Sequence, residues 1–326
     1  MRTGILKALK KSGGYVSGQA LCGEFSVSRT AVWKAVEALK SAGYEIESVP
    51  RKGYRLLSSP DILTAEEILS EEAGSTRFLQ RVEAFSEIDS TNEQVKRLAA
   101  DGAPEGTLVV AEQQSTGKGR KGRNFLSPPG VGIFMSMLLR PKVRVEDASR
   151  ITLISALAVQ EGIFNATGLN CQIKWPNDII SGKRKLTGIL TEMSLEEERI
   201  SYLVVGIGIN VNHTSFPEEL KDIATSIRME TGKSIRRAPL LVRVAESFEK
   251  YYEIYEKTGD LSALKDRYNE LLVNRDREVE VLDETHPYTG ISEGINEKGE
   301  LMVRTREGVK QVSFGEVSVR GIYGYV

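Results

Sequence analysis

The chain has 326 residues, 40% apolar and 27% charged, with 44 Lys and Arg against 45 Asp and Glu. That length suits two or three domains and excludes a mostly disordered or collagen-like chain, and no apolar run approaches the roughly 20 residues of a membrane span. Two cysteines, Cys22 and Cys171, exclude a disulfide scaffold or a four-thiolate zinc site, and two histidines, His213 and His286, exclude a His-rich metal centre. Chemistry must then rest on Lys, Arg, Asp, Asn and backbone amides. The first ten residues lack the apolar core of a secretion signal, so the expectation is a cytoplasmic protein with reduced thiols.

The near-zero charge hides an asymmetry. Residues 1–60 hold ten basic and four acidic side chains, a net +6, so the remainder sums to −7. In this head Ile5, Leu6 and Leu9 fall at helical spacing, and Ser12-Gly13-Gly14 ends the helix. Ser17 caps a second helix and Ser28 a third, whose buried stripe is Ala31, Val32, Ala35, Val36 and Leu39. Two β segments, 44–49 and 54–57, flank Pro50-Arg-Lys-Gly53 as a hairpin. Three short helices and a basic-tipped hairpin predict a winged helix-turn-helix over 1–60, as against a helical domain that binds protein. Ser28, Arg29, Thr30 and Lys34 lie at the front of the third helix, and Arg51 and Lys52 on the wing, as candidate DNA contacts. Trp33 and Cys22 are expected to pack in the core, and His213 and His286 to sit on surface or loops.

Ser58-Ser59-Pro60 marks a boundary. An acidic helix around 65–72 follows, then strands at 82–88, 108–113, 132–139, 171–174, 186–193 and 202–207. Helices are expected at 91–100, 148–166, 239–257 and 261–272, with 179–186 as a hairpin. Connections this short predict an α+β domain over 61–273 with a mixed, largely antiparallel sheet. From 274 to 326 five short strands predict a small SH3-like β-barrel.

Four stretches could carry chemistry. Gly117-Lys-Gly-Arg-Lys-Gly-Arg123 mixes glycines with cations, as an anion nest does, but it lacks P-loop spacing and is followed by Pro128-Pro129 rather than a helix. Taken alone, the stretch favours a flexible surface loop or a second nucleic-acid patch. Lys174-Trp-Pro-Asn-Asp178 offers Asn177 and Asp178 as a polar pair for a metal, a phosphate or an amine, or as a plain turn. Lys183-Arg-Lys185 puts charge on a strand entering an apolar run, and Gly206-Ile-Gly-Ile-Asn210 permits close ligand approach at a strand end. Together they imply a site for one or two anions beside an apolar slot. With no Ser-His-Asp set or Cys-His pair, a transferase or ligase working by charge neutralisation and positioning is favoured over a hydrolase.

Asp89-Ser-Thr-Asn92, the glycine–cation loop, Lys174-Trp-Pro-Asn-Asp178, Arg184-Lys-Leu-Thr-Gly-Ile-Leu190 and Gly206-Ile-Gly-Ile-Asn210 occur together in one order. In this the whole chain closely resembles the bifunctional bacterial biotin–protein ligases that double as biotin operon repressors. The resemblance implies that biotin and MgATP give biotinyl-5′-AMP and pyrophosphate, and that biotin then passes to one lysine of a biotin carboxyl carrier protein. That acceptor would belong to acetyl-CoA carboxylase, with pyruvate carboxylase as a further candidate. Ser90, Thr91 and Gln114 would bind the ureido ring, and Asn92, Gly117, Gly188, Gly206 and Gly208 would complete the biotin pocket. Lys118, Gly119 and Arg120 would line carboxylate and phosphate, with Lys121 and Arg123 beside the adenylate. Lys185 would bridge carboxylate and α-phosphate, Phe125 would stack on adenine and Asn210 would contact its edge. Arg120 and Asp178 would join Lys185 in catalysis, and Mg2+ would lie near Asn177 and Asp178 without a metal site built by protein alone. The adenylate would act as corepressor, promoting a homodimer on operator DNA. Lysines at 118 and 121 replace the arginines common in that loop, keeping charge but losing the bidentate fork; Phe125 replaces an aromatic that can be Trp. Lipoate–protein ligase and a ligand-sensing regulator without enzyme activity are the alternatives.

Overall fold

The computed structural model describes residues 1–71, 76–282, 287–313 and 318–321. In the head, α1 (Arg2–Ser12), α2 (Gly18–Phe25) and α3 (Arg29–Ser41) precede the hairpin β1 (Glu45–Val49) and β2 (Gly53–Ser58). Gly13 ends α1 at φ 60°, and the Ser17 and Ser28 hydroxyls accept from Ala20 N at 3.0 Å and Ala31 N at 3.2 Å. Ile5, Leu6, Leu9, Leu21, Val32 and Val36 form a separate small core, with Cys22 packed against it. Trp33 departs from expectation: it is 53% exposed. Val32 and Val36 already fill the inward positions, and the helix turns the indole about 100° away from Val32 and about 60° away from Val36.

The head is fastened to the body by charge. Helix α4 (Ala65–Glu71) carries Glu67, whose side chain is fully buried. Glu67 accepts from Tyr44 Oη at 2.7 Å, pairs with Lys10 of α1 at 2.9 Å and binds Arg236. Glu71 pairs with the same Lys10 at 2.5 Å and with Arg236 at 2.8 Å. The linker is pinned as well. Buried Arg237 donates to the Asp61 carboxylate at 3.0 Å and the Asp61 carbonyl at 2.7 Å, and to Glu112 at 2.6 Å.

The body follows with β3 (Arg81–Phe85), α5 (Thr91–Ala100), β4 (Thr107–Ala111), β5 (Gly132–Leu139) and α6 (Arg150–Thr167). Then come β6 (Gln172–Lys174), β7 (Asp178–Ser181), β8 (Arg184–Glu196), β9 (Arg199–Asn210), α7 (Ile227–Thr231), α8 (Arg237–Thr258) and α9 (Lys265–Leu271). The seven strands pair in the order β3-β4-β5-β9-β8-β7-β6, antiparallel except β3 with β4. This is the mixed sheet that short connections predict; α7 and the single turns of 3-10 helix are too short to leave a periodic signature.

Alternation along the strands divides the faces. Leu108, Val110, Met135, Met137, Val205, Ile207 and Ile209 join the large core under α6 and α8. Val109, Leu138 and Val204 face α5 with Val95 and Ala99. The intervening residues Ser136, Gly206 and Gly208 therefore lie on the α5 face, where the candidate site forms.

Strands β10 (Glu278–Leu282), β11 (Tyr288–Ile295), β12 (Leu301–Thr305), β13 (Gly308–Val312) and β14 (Ser318–Gly321) make an antiparallel sheet ordered β13-β12-β11-β10-β14. Among the described residues its outer strands do not pair with each other. It is held to the body by Trp175 Nε1 donating to Gly299 O at 3.1 Å and by Arg150 donating to Lys298 O at 3.3 Å. His286 lies outside the described residues. His213 is not on the surface: it is buried in the loop after β9 and stacked on Phe216 at 4.8 Å.

Candidate ligand cleft

A cleft opens on the α5 face of the sheet. One end is neutral and polar. Ser90 precedes α5, and Thr91 and Asn92 begin it. Gln114, just past β4, accepts from Thr91 N at 2.9 Å and from Thr91 Oγ1 at 3.1 Å, and donates to Ser127 Oγ at 3.1 Å. Ser136 of β5 donates within 2.7 Å of Thr91 Oγ1 and 2.5 Å of Asn92 Oδ1. Asn92 donates in turn to Glu192 of β8 at 2.7 Å. Neither Ser136 nor Glu192 stands out from motif spacing, although a lone Ser in an otherwise apolar strand signals a buried hydrogen bond.

The floor is glycine. Gly206 pairs in register with Ser136, and Gly208 with Gly188. A Cβ on Gly206 would stand 2.1 Å from Asn92 Oδ1, and one on Gly208 2.6 Å from the Phe125 ring. Here glycine is required for close approach rather than for its dihedrals. The Phe125 ring lies against this floor, edge-on to Phe134 at 6.3 Å.

The other end is cationic. The glycine–cation loop closes on itself: Gly119 N donates to Arg123 O at 2.6 Å, Phe125 N to Gly117 O at 2.9 Å, and Gly122 takes φ 70°. This arrangement turns Lys118, Gly119 and Arg120 to the cleft wall. Arg120 donates to Asn177 Oδ1 at 3.1 Å, while Asn177 Nδ2 donates to Ile189 O at 3.0 Å. Burial pushes the Arg120 guanidinium below its ordinary value, with Asp178 partly offsetting it. An entering anion would offset the cost of that desolvation by charge attraction. Lys185, at a bulge of β8, pairs with Asp178 of β7 at 2.5 Å. Lys118 pairs with Glu93 at 3.0 Å and holds that carboxylate below its usual range.

Most predicted ligand residues thus converge. Arg123 is exposed, Gly117 supports the loop against Phe125 and Ser127, and Asn210 is buried at the end of β9 opposite Gly132. Nothing is described of the Lys121 side chain. No group of three His, Cys, Asp or Glu that could hold a metal occurs among the described residues. Asn177 is engaged at both ends of its amide, and Asp178 is paired with Lys185.

In the head, Ser28 spends its hydroxyl on the α3 cap and Arg29 donates to Gln19 Oε1 at 3.0 Å. Arg29, Thr30, Lys34, Arg51 and Lys52 are exposed. Lys52 lies 5.6 Å and Arg55 5.0 Å from the Tyr15 ring, and Tyr15 Oη donates to Glu47 at 2.6 Å, bracing the wing.

The cleft, neutral at one end and cationic at the other, is carried by a chain with a helix-turn-helix head. Three family models match in register: an HTH domain over residues 2–55, the biotin/lipoate A/B protein ligase family over 84–210, and the biotin protein ligase C-terminal domain over 276–320. The chain is 39% identical to the bifunctional ligase/repressor BirA of Bacillus spizizenii, covering 98% of each. It is 29% identical to that of Escherichia coli, over 97% of this chain and 96% of the other. A biotin protein ligase from Aquifex aeolicus in complex with biotin and ATP superposes with a TM-score of 0.66 at 33% identity, covering 74% of this chain and 99% of that one. The chain belongs to the bifunctional ligase/repressor family of biotin protein ligases.

Proposed function

We propose that this protein activates biotin with ATP and transfers it to a lysine of a biotin carboxyl carrier protein, and that it represses transcription when its adenylate is bound. The observation that carries this reading is the polarity of the cleft. A neutral hydrogen-bonding end joined to a cationic end suits a molecule with an uncharged polar ring at one terminus and a carboxylate at the other. The ureido ring would meet Ser90, Thr91, Asn92 and Gln114, over the floor of Gly188, Gly206 and Gly208, with Gly117 shaping the loop.

The chemistry brings two anions together. A biotin carboxylate oxygen attacks the α-phosphorus of ATP, the bond to the β-phosphate oxygen breaks, and pyrophosphate leaves. Lys118, Arg120 and Lys185 offset the charge that gathers there. Asp178 holds the Lys185 ammonium in place. The acceptor amine then attacks the mixed anhydride carbonyl and AMP departs. Lys121 and Arg123 extend the cationic field toward the nucleotide, Phe125 offers a ring for adenine, and Asn210 a polar group for its edge. Magnesium would enter on the triphosphate, where it would offset phosphate charge beside Asn177 and Asp178.

The same reading divides the chain into a winged head over 1–60, a ligase domain over 61–273 and a small barrel over 274–326. Ser28, Arg29, Thr30, Lys34, Arg51 and Lys52 would meet operator DNA, two heads from a homodimer reading two half-sites. No described helix is long and apolar enough to cross a membrane; we place the protein in the cytoplasm, with its acceptor.

Biotin-dependent exchange of pyrophosphate into ATP tests the enzyme half. Exchange with biotin and not with lipoate is expected; exchange driven by lipoate alone would reassign the substrate, and no exchange with any acid would leave a ligand sensor.

A further inference from the structure

The recognition-type helix carries a side chain that its core does not use. Trp33 is 53% exposed, whereas Val32, Ala35 and Val36 around it are at most 3% exposed. At about 100° per residue, Arg29, Trp33, Glu37, Thr30 and Lys34 follow one another around an outer arc of roughly 140°, opposite the buried stripe. Trp33 stands inside that arc, between Arg29 at one margin and Thr30 and Lys34 at the other. It makes no aromatic or cation–π contact among the described residues. An indole left half in water is a large apolar surface that a partner can cover.

The surroundings say which partner. Lys34, Arg51 and Lys52 have no ion pair among the described residues, and Arg29 is oriented by a neutral amide, Gln19. The one acid on the helix, Glu37, is paired with Lys40 at 2.9 Å. A face that keeps its cations uncompensated repels a second copy of itself and attracts a polyanion. Cations alone would bind phosphates without regard to sequence. In the major groove the one apolar protrusion is the C5-methyl group of thymine, and an indole flanked by cations is suited to meet it.

We propose that Trp33 is a base-reading residue, its exposed indole contacting thymine methyl groups in the major groove of duplex DNA while Arg29 and Lys34 hold the backbone on either side. This rests on the DNA-binding half of the function proposed above and deepens it. It assigns Trp33 to sequence preference, and the neighbouring lysine to affinity.

The test uses the full-length protein with biotin and MgATP, selecting from a pool of randomised DNA duplexes. The wild type should enrich a defined site. Replacing individual thymines of that site by deoxyuridine, which removes only the methyl group, should weaken wild-type binding about tenfold at one or more positions. Trp33→Ala should bind the thymine site about tenfold more weakly and lose no further affinity on the uracil substitution. Trp33→Phe, which keeps an apolar face, should retain the methyl dependence. Lys34→Ala should instead weaken all duplexes alike and lower the salt dependence by about one counterion. If the wild type enriches a site but no thymine methyl matters, or if Trp33→Ala keeps the methyl dependence, the inference is overturned while DNA binding stands. If the wild type enriches no site, the DNA-binding reading itself fails.

Discussion

Lys185 and Asp178 lie 2.5 Å apart, with side chains 26% and 13% exposed. Removing the ammonium therefore does two things: it deletes a cation and it unmasks a carboxylate beside the place where two anions must meet. Unit charges about 4 Å apart in an effective dielectric of about 20 interact by about 4 kcal/mol. At about 1.4 kcal/mol per decade, Lys185→Met should slow adenylation roughly a thousandfold. The Asp178 carboxylate, no longer neutralised, then repels the same incoming anions, a penalty on top of the lost cation that water partly softens. Adding Asp178→Asn to Lys185→Met should then recover at least tenfold. Asp178→Asn alone should lower activity only modestly, because Lys185 keeps its charge and loses only its anchor. Single-turnover formation of the adenylate, with unfolding midpoints recorded in parallel, separates these effects. A double variant as slow as Lys185→Met, with fold intact, would show that Asp178 does not face the reacting anions.

Three further outcomes follow from other parts of the molecule. Gly206→Ala should weaken biotin binding at least tenfold by calorimetry, because its Cβ would stand 2.1 Å from Asn92 Oδ1; unchanged affinity would mean that Asn92 moves freely and is not part of the pocket. Arg237→Met leaves Asp61 and Glu112 facing each other without their shared cation. Urea unfolding should register a loss of about 3 kcal/mol, the low end for a broken buried pair since both carboxylates are partly exposed, and a change under 1 kcal/mol would refute it. Burial holds the His213 imidazole down to about 4 in the folded protein. The unfolded chain, near pH 6.5, therefore binds more protons in the window between, so stability should fall as pH drops from about 6.5 to 4. His213→Phe should flatten that part of the profile by about 1 to 3 kcal/mol, and an unchanged slope would place the acid sensitivity elsewhere.

Much of this architecture is legible before any coordinate. The caps at Ser17 and Ser28, the strand 132–139 and the helix 91–100 follow from local signals that nothing in the tertiary structure overrides. Glycines in two strands and cations in one loop announce a close-approach anion site, and the fold brings them to one cleft. What stays hidden depends on contacts far apart in sequence. Trp33 reads as core because aromatics usually are; its exposure follows from Val32 and Val36 having filled the inward positions. His213 reads as a loop residue, and no pattern indicates that Phe216 will cover it. Ser136 and Glu192 enter the hydrogen-bond network only because β5 and β8 pass under α5. Arg237, almost wholly buried, is legible only once Asp61 and Glu112 are seen to meet it.

The fastening of the head has a consequence for operator geometry. Lys10, Tyr44 and Arg236 all grip Glu67, so α3 does not swing as a bead on a string. In any assembly of two copies, the distance between their α3 helices is dictated by how the bodies meet. Such a pair would behave as a fixed caliper: half-sites spaced to match its jaws would be gripped at both ends, and half-sites moved by part of a helical turn at one.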